Sequence, residues 1–224
     1  IEEIREFSEK NHISLSLHPP FHMNLCSWNP LVRRFHISYL EKCIHLASRL
    51  KARYLTLHLG NFHRGAAWSN PRQQALERLV KVLAKLLPTC EAHQVCLALE
   101  NVVPIPPEAG FAFLGDSIDD FLYIFSSLES AYLKFCLDIG HANIGEGPLA
   151  YMEKLGAKII GIHFHDNRGR HDEHLEVGKG TVPWKALVEA LEKIGFCGPY
   201  VSECFKSQPH EAIRQLIEQS TLLE

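Results

Sequence analysis

Short apolar runs alternate with longer amphipathic stretches along the whole chain. The amphipathic stretches repeat their apolar residues at helical spacing, most clearly from Pro71 to Leu87, where Asn70-Pro71 provides a helix start signal. The other predicted helices are Ile1–Lys10, Ser38–Lys51, Ile118–Leu128, Leu149–Leu155, Trp184–Ile194 and His210–Leu222. The apolar runs have the composition of buried parallel strands. They are Ile13–Leu17, Tyr54–Leu57, Val95–Leu99, Leu133–Leu137, Ile159–Phe164 and Tyr200–Ser202.

Strands that alternate with helices predict an α/β protein with a parallel sheet. No composition break divides residues 1–224, so we expect a single domain. No G-x-G-x-x-G motif follows the first strand, which favours a closed (β/α)8 TIM barrel over an open dinucleotide-binding sheet. A closed barrel of this type has eight strands, and the chain begins with Ile1 inside a predicted helix. We therefore expect the first one or two βα units to lie upstream.

Composition and charge indicate which broad classes of protein this chain does not resemble. The net charge is −3 and no basic block occurs, which gives no support for a non-specific nucleic-acid binder. No apolar run approaches the ~20 residues that span a bilayer, and no leader resembles a signal peptide. The seven cysteines are odd in number and form no C-x-x-C pair, as expected for reduced thiols. These features predict a cytoplasmic protein without a membrane partner.

A residue able to bind a metal follows each predicted strand, roughly one βα unit after the previous one. Barrel enzymes keep their active sites at this end of the strands, so we expect these side chains to converge. Three more candidates are His141, shortly after Asp138, and Asp172 and His174 in the loop after the fifth strand. One histidine at a strand end is as often a hydrogen-bonded structural residue as a ligand, but the complete set predicts a metal site. The six strand-end residues are His18, His58, Glu100, Asp138, His163 and Glu203.

The chemistry of this set suits zinc, manganese or iron, because it combines imidazoles with carboxylates. Carboxylates can bridge two cations, so more than one ion is expected. His165 and Asp166 are expected to support the ligands rather than to bind metal. Three cations of the same loop, Arg168, Arg170 and Lys179, are candidates for binding a phosphate group.

These residues resemble the xylose-isomerase-like TIM-barrel superfamily, which contains sugar isomerases and epimerases together with phosphodiesterases of the endonuclease IV type (AP endonuclease family 2). The DIGH and HDNRGRHDEHLEVGKG stretches carry most of the resemblance, which runs from about His18 to Glu203. Members with a related segment are described as sugar phosphate isomerases.

The endonuclease IV branch binds three zinc ions, and the resemblance implies a ligand set for each ion in this chain. Glu100 would bridge the first two ions. The first ion would take His18, His58 and Glu100; the second Glu100, Asp138, His163 and Glu203; the third His141, Asp172 and His174. The epimerases instead hold one ion, such as manganese, cobalt or magnesium, with Glu100, Asp138, His163 and Glu203 alone. The five additional ligands favour the multi-metal interpretation.

The sequence therefore predicts a metal-dependent phosphodiester hydrolase that acts on a small or nucleotide-like substrate, with Glu100 and Glu203 as catalytic residues. DNA is a less favoured partner, because no DNA-contacting loop is recognisable and Lys179 stands where an acidic residue is usual in the endonucleases. The alternative is a sugar or sugar phosphate isomerase or epimerase in which Glu100 and Glu203 move a proton. A third hypothesis is an inactive binding protein. The substrate and the oligomeric state are not predicted.

Overall fold

The structure, a computed structural model, describes residues 1–65 and 69–221. Its contacts divide these residues into two compact units. The first unit contains residues 1–100, 105–115 and 119–134, and the second contains residues 101–104, 116–118 and those from Phe135 onward.

The first unit is built on two parallel strands, β1 (Tyr54–Leu57) and β3 (Cys96–Glu100). Leu57 at the end of β1 pairs with Leu99 of β3. Every residue of β1 is buried, as expected for a strand covered on both faces. The elements in chain order are α1 (Glu2–Lys10), α2 (Pro30–Leu50), β1 (Tyr54–Leu57), β2 (Asn61–His63), α3 (Pro71–His93), β3 (Cys96–Glu100), β4 (Phe111–Phe113) and α4 (Ile118–Ser127), whose first residue belongs to the second unit.

The second unit contains three parallel strands, with β6 (Ile159–Phe164) between β5 (Leu133–Asp138) and β7 (Tyr200–Ser202). The first two residues of β5 belong to the first unit. Asp138 pairs with His163, and Phe164 pairs with Ser202. Stacked aromatic rings contribute to its core, including Phe135 on Tyr151 at 5.9 Å. Its elements are β5 (Leu133–Asp138), α5 (Ile139–Ile144), α6 (Pro148–Leu155), β6 (Ile159–Phe164), α7 (Trp184–Lys193), β7 (Tyr200–Ser202) and α8 (Pro209–Thr221).

Five of the six predicted strands are confirmed to within one residue, but the prediction of a strand at Ile13–Leu17 is wrong. This segment runs beside β1 and shares two backbone hydrogen bonds with it and a third with Arg53 just before it, yet only Leu17 forms a bridge, to Leu55. Ile13 is exposed, so the start of the segment is not covered by the core that a buried strand requires.

Some of the predicted helices differ in length from the observed ones, and one observed helix was not predicted. α2 begins at Pro30 rather than Ser38, because Asn29 caps it through a bond from Leu31 N–H at 2.9 Å. α3 continues through Pro88 to His93. The short helix α5 and the antiparallel pair of β2 with β4 were not predicted. Leu222, the predicted end of the last helix, lies outside the described residues.

Two further expectations concern the chain as a whole. All seven cysteines lie within the described residues, and the structure gives each of them as a free thiol. Among the helices of the described residues, none combines the length and the apolar character needed to cross a membrane.

Candidate metal centre

Three predicted ligands of the first unit meet in what we call the Glu100 group: His18, His58 and Glu100. The Nε2 atoms of His18 and His58 lie 3.1 and 2.8 Å from the same oxygen, Glu100 Oε2. Glu100 is almost fully buried, whereas both imidazoles remain partly exposed. The ligand atoms all lie within 4.8 Å of one another, close enough for one ion.

The strand register explains why these residues meet. Leu57 pairs with Leu99, so His58 and Glu100 are the next residues along two adjacent parallel strands. Leu17 bridges to Leu55, which brings His18 to the same end of β1. Within this unit the strand register therefore places three of the predicted ligands side by side.

The second unit contains an analogous set, the Asp138 group, formed by Asp138, His163 and Glu203. Asp138 and His163 are paired in register at the ends of β5 and β6. His163 Nδ1 lies 3.0 Å from Glu203 Oε1. Asp138 and His163 are buried and Glu203 is partly exposed. Their ligand atoms also lie within 4.8 Å of one another.

The Asp172 group, also in the second unit, comprises His141, His165, Asp172 and His174. Asp172 Oδ2 lies 3.5 Å from His141 Nε2 and 3.2 Å from His174 Nε2. His174 has a backbone φ of +47°, an uncommon conformation for a residue other than glycine. Backbone strain of this kind is often found at functional sites.

Electrostatics within the Asp172 group favour an ionised carboxylate. Burial opposes ionisation of Asp172, but hydrogen bonds from His141 and His174 outweigh it and hold the pKa of Asp172 well below its usual range. Burial also opposes protonation of His174, yet the bonds to Asp172 and to the Glu203 carbonyl raise the pKa of His174 above its ordinary value. The Asp172 carboxylate is thus held as an anion between two imidazoles.

His18, His141 and His174 share one bonding pattern. In each ring Nδ1 lies within hydrogen-bond distance of a backbone carbonyl, which can only accept, so Nδ1 carries a proton. The Nε2 atom of the neutral ring is then the one with a lone pair. The acceptors are the carbonyls of Pro19, Asn101 and Glu203, at 2.6, 3.0 and 2.7 Å.

Each of these Nε2 atoms faces a carboxylate oxygen, that of Glu100 for His18 and that of Asp172 for His141 and His174. A lone pair opposite a carboxylate is repulsive unless a proton or a metal cation lies between them. An imidazole whose Nδ1 donates to a carbonyl is also the usual form of a metal-binding histidine. The residues present therefore fit a divalent cation.

Two residues of the site have roles that the sequence did not reveal. His165, predicted only to support the ligands, is fully buried and has its Nε2 3.3 Å from Asp138 Oδ1 and 3.5 Å from Asp172 Oδ1. The H-x-H spacing was the available signal, because alternate residues of a strand share one face. Asn101 holds Asp138 through two hydrogen bonds of 2.8 Å to its backbone N–H and carbonyl, for which we find no sequence signal.

Asp166 organises the loop that carries Asp172 and His174, as predicted for a supporting residue. It is fully buried and accepts four hydrogen bonds through its two carboxylate oxygens. The donors are the backbone N–H groups of Asn167, Gly178 and Val182 and the indole N–H of Trp184.

The three predicted phosphate-binding cations lie on the exposed side of this loop. Arg168 pairs with Glu173, both through its guanidinium and through its backbone N–H. The structure gives no hydrogen bond or ion pair to the side chains of Arg170 or Lys179 from any described residue.

Comparisons with known proteins extend this description. The family model of the xylose isomerase-like TIM barrel matches residues 1–222. An uncharacterized protein of Methanocaldococcus jannaschii is 30% identical over 202 residues, which cover 88% of this chain and 67% of that protein. A probable endonuclease 4 of Mycoplasma pneumoniae is 25% identical over 208 residues, covering 85% of this chain and 68% of that protein.

Among solved structures, a D-tagatose 3-epimerase-like protein is similar, with a TM-score of 0.81 and 26% identity. The similarity covers 99% of this chain and 80% of that protein. The predicted α/β class and TIM-barrel fold are confirmed by these matches. The chain belongs to the xylose isomerase-like TIM-barrel family.

Proposed function

We propose that this chain is a divalent-metal-dependent hydrolase that cleaves a small or nucleotide-like phosphodiester, with up to three zinc ions as cofactors. The single observation that carries the proposal is the Asp172 group, in which the Nε2 atoms of His141 and His174 converge on one carboxylate oxygen, Asp172 Oδ2. A single-ion isomerase needs no such group in addition to a carboxylate-rich set such as Asp138, His163 and Glu203. The similarity to a probable endonuclease 4 supports the same direction.

The proposal assigns a role to each group of side chains. Bound divalent ions lower the pKa of water and stabilise negative charge on phosphoryl oxygens. Glu100 holds His18 and His58 through one oxygen, and its carboxylate orients the attacking water. Glu203 fixes His163 through its side chain and His174 through its backbone carbonyl. Within its own group, each glutamate thus supplies orientation and proton acceptance.

Arg168, Arg170 and Lys179 are proposed to attract the substrate rather than to clamp it. All three side chains are exposed, and Arg168 is engaged with Glu173. Exposed cations are screened by salt, so their contribution is expected to be modest and to weaken as ionic strength rises.

A second candidate function is the epimerisation of a sugar or sugar phosphate by one manganese, cobalt or magnesium ion. The observation that favours it is the 26% identity to a D-tagatose 3-epimerase-like protein over nearly the whole chain. Glu100 and Glu203 would then exchange a proton with the carbon beside the sugar carbonyl. In that case His141 and His174 are not needed for turnover.

The deciding experiment combines metal analysis with two activity assays on wild type, His174→Ala and the matched control His171→Ala, an exposed histidine of the same loop. Metal content is measured by mass spectrometry. Hydrolysis is followed with bis(p-nitrophenyl) phosphate and epimerisation with D-tagatose.

We expect about three zinc ions in wild type, and hydrolysis that falls at least about 100-fold in His174→Ala but not in His171→Ala. Unchanged hydrolysis in His174→Ala would exclude the multi-metal hydrolase. One ion per chain with epimerisation that survives His174→Ala would establish the second function instead.

A further inference from the structure

A small pocket in the first unit lies beside the start of α3, and its lining includes none of the predicted metal ligands. Its volume is about 70 Å³. Pockets for drug-sized organic ligands occupy about 300–1,000 Å³, so this one accommodates only a single small group. The lining residues that matter here are Asn24, Trp28, Asn61, Pro71, Gln74 and Arg78.

Arg78 is the only charged side chain among these six, and it is half-buried. Its Nε donates to the carbonyl of Cys26 at 2.8 Å. Its two terminal amino groups have no hydrogen bond or ion pair to any residue that the structure describes. Burial lowers the pKa of Arg78, which shows that the guanidinium has lost part of its hydration. A partly dehydrated cation without a carboxylate partner favours binding of an anion.

A second guanidinium strengthens the positive potential. Arg33 donates to the backbone carbonyls of Ser27 and Trp28. These carbonyls directly follow that of Cys26, to which Arg78 donates. Among the residues that the structure describes, no acidic side chain lines the pocket. Glu77, the neighbour of Arg78 in α3, is exposed and accepts a bond from Gln73.

The remaining walls of the pocket are held in place by hydrogen bonds and close packing. Asn24 donates from its side-chain amide to both the backbone and the side-chain oxygen of Asn61, at 2.9 and 3.1 Å. Gly60 approaches Asn24 so closely that a Cβ there would lie 2.5 Å from Asn24 Oδ1. Pro71 opens the 23-residue helix α3, whose N-terminal N–H groups carry partial positive charge.

We propose that this pocket binds a small oxoanion, namely phosphate or the terminal phosphoryl group of a larger metabolite, with Arg78 as its principal ligand. The guanidinium fork suits two phosphoryl oxygens at once. The pocket shares no lining residue with the three metal-binding groups, so the proposal does not rest on the proposed hydrolysis. Trp28 lines the pocket with its indole 61% exposed, which makes it a reporter of binding.

The test is a titration of the metal-loaded protein with inorganic phosphate, followed by tryptophan fluorescence and by calorimetry. We expect saturable binding that weakens at least about tenfold in Arg78→Gln and several-fold in Arg78→Lys, which keeps the charge but not the fork. Arg34→Gln, an exposed arginine beside Arg33, is the matched control and should bind like wild type. Trp28→Phe should lose the fluorescence signal while calorimetric binding remains.

Three results would overturn the proposal: no saturable binding, equal affinity in wild type and the Arg78 variants, or binding that His174→Ala abolishes and Arg78→Gln does not. If circular dichroism shows that Arg78→Gln does not fold, the phosphate affinity of the folded Arg78→Lys variant decides whether Arg78 is a ligand. A parallel titration with glycerol phosphate separates the two ligand sources. If glycerol phosphate binds more tightly than inorganic phosphate, the ligand is a phosphorylated metabolite. If it binds more weakly, the ligand is the free ion.

Discussion

The ring of Phe205 is 76% exposed, yet one face of it is covered by the imidazole of His174. The ring centroids are 4.1 Å apart and the planes differ by 7°. His174 in turn stacks on the buried ring of His165 at 4.0 Å. A phenylalanine that contributes little to a core therefore fixes the plane of a candidate metal ligand.

Phe205→Ala should weaken metal binding by the Asp172 group about three- to tenfold and leave overall stability nearly unchanged. An aromatic stacking pair is worth about 0.5–1.5 kcal/mol, and here that energy orients His174. Zinc competition with a fluorescent chelator measures the affinity. Phe205→Tyr should retain wild-type affinity, and an equal loss in both variants would argue against a role for the stacked ring.

Gly140 is required where it is because His165 occupies the space beside it. A Cβ at residue 140 would lie 2.0 Å from Cε1 of the His165 ring. Gly140→Ala should lower the free energy of unfolding by about 1–3 kcal/mol and shift His165 away from Asp138, as overpacking does in a buried site. Urea denaturation measures the change. Gly110→Ala, where no atom lies within 4 Å, is the control and should be neutral.

At the scale of elements, the loop between β6 and α7 depends on one carboxylate. Asp166 accepts four hydrogen bonds, one of them from the indole of Trp184 at the start of α7. The loop is thereby tied to the helix that follows it. The geometry of Asp172 and His174 depends on this anchoring.

Asp166→Asn should destabilise the protein by about 1–3 kcal/mol, because the new amide cannot accept at one of the two positions and leaves buried donors unsatisfied. Metal affinity of the Asp172 group should fall with it. The emission of Trp184 reports the loosened anchoring as a red shift. Glu173→Gln, which removes only the exposed pair with Arg168, should cost less than about 1 kcal/mol. Equal effects of both substitutions would refute the anchoring role.

The elements that the sequence predicted well are those whose residue pattern can be recognised within one continuous stretch of the chain. Buried parallel strands appear as uninterrupted apolar runs, and the ligand positions followed because each run ends in one ionisable residue. The first turns of α2 were not predicted. Their large apolar residues Leu31, Phe35 and Tyr39 are exposed, so they do not form the buried helix face on which the prediction relies. Asn101 escaped because its role depends on the backbone of Asp138, which is 37 residues away.

For the molecule as a whole, metal binding should respond to pH in a defined direction. A metal needs the lone pair of His174 Nε2, which protonation removes, and the pKa of His174 lies above its ordinary value of 6.5. Zinc affinity of the Asp172 group should therefore be full above that raised pKa and fall about tenfold per unit as pH drops below it. Calorimetric titrations between pH 5.5 and 8.5 measure the slope. A flat profile would contradict protonation of His174.

Metal removal should also lower the thermal stability of the whole chain. An ion present at about 1,000 times its dissociation constant stabilises the folded state by about 4 kcal/mol. Since 1 kcal/mol shifts the Tm of a protein of this size by about 2–4 °C, loss of one ion should lower Tm by about 8–16 °C. Calorimetry before and after chelation, with zinc re-addition as control, tests this. An unchanged Tm after verified removal would mean that the ions do not support the fold.

The carbonyl bonds to Nδ1 of His18, His141 and His174 have a kinetic consequence. The proton of each ring already resides on the nitrogen that a metal does not use, so capture of an ion requires no ring flip and no tautomer exchange. At a pH above the raised pKa of His174, the slow step of loading then belongs to the ion, which must shed its water. Zinc should load quickly, and magnesium, which dehydrates reluctantly, should load slowly. The protein would thus select among cations by rate before it does so by affinity.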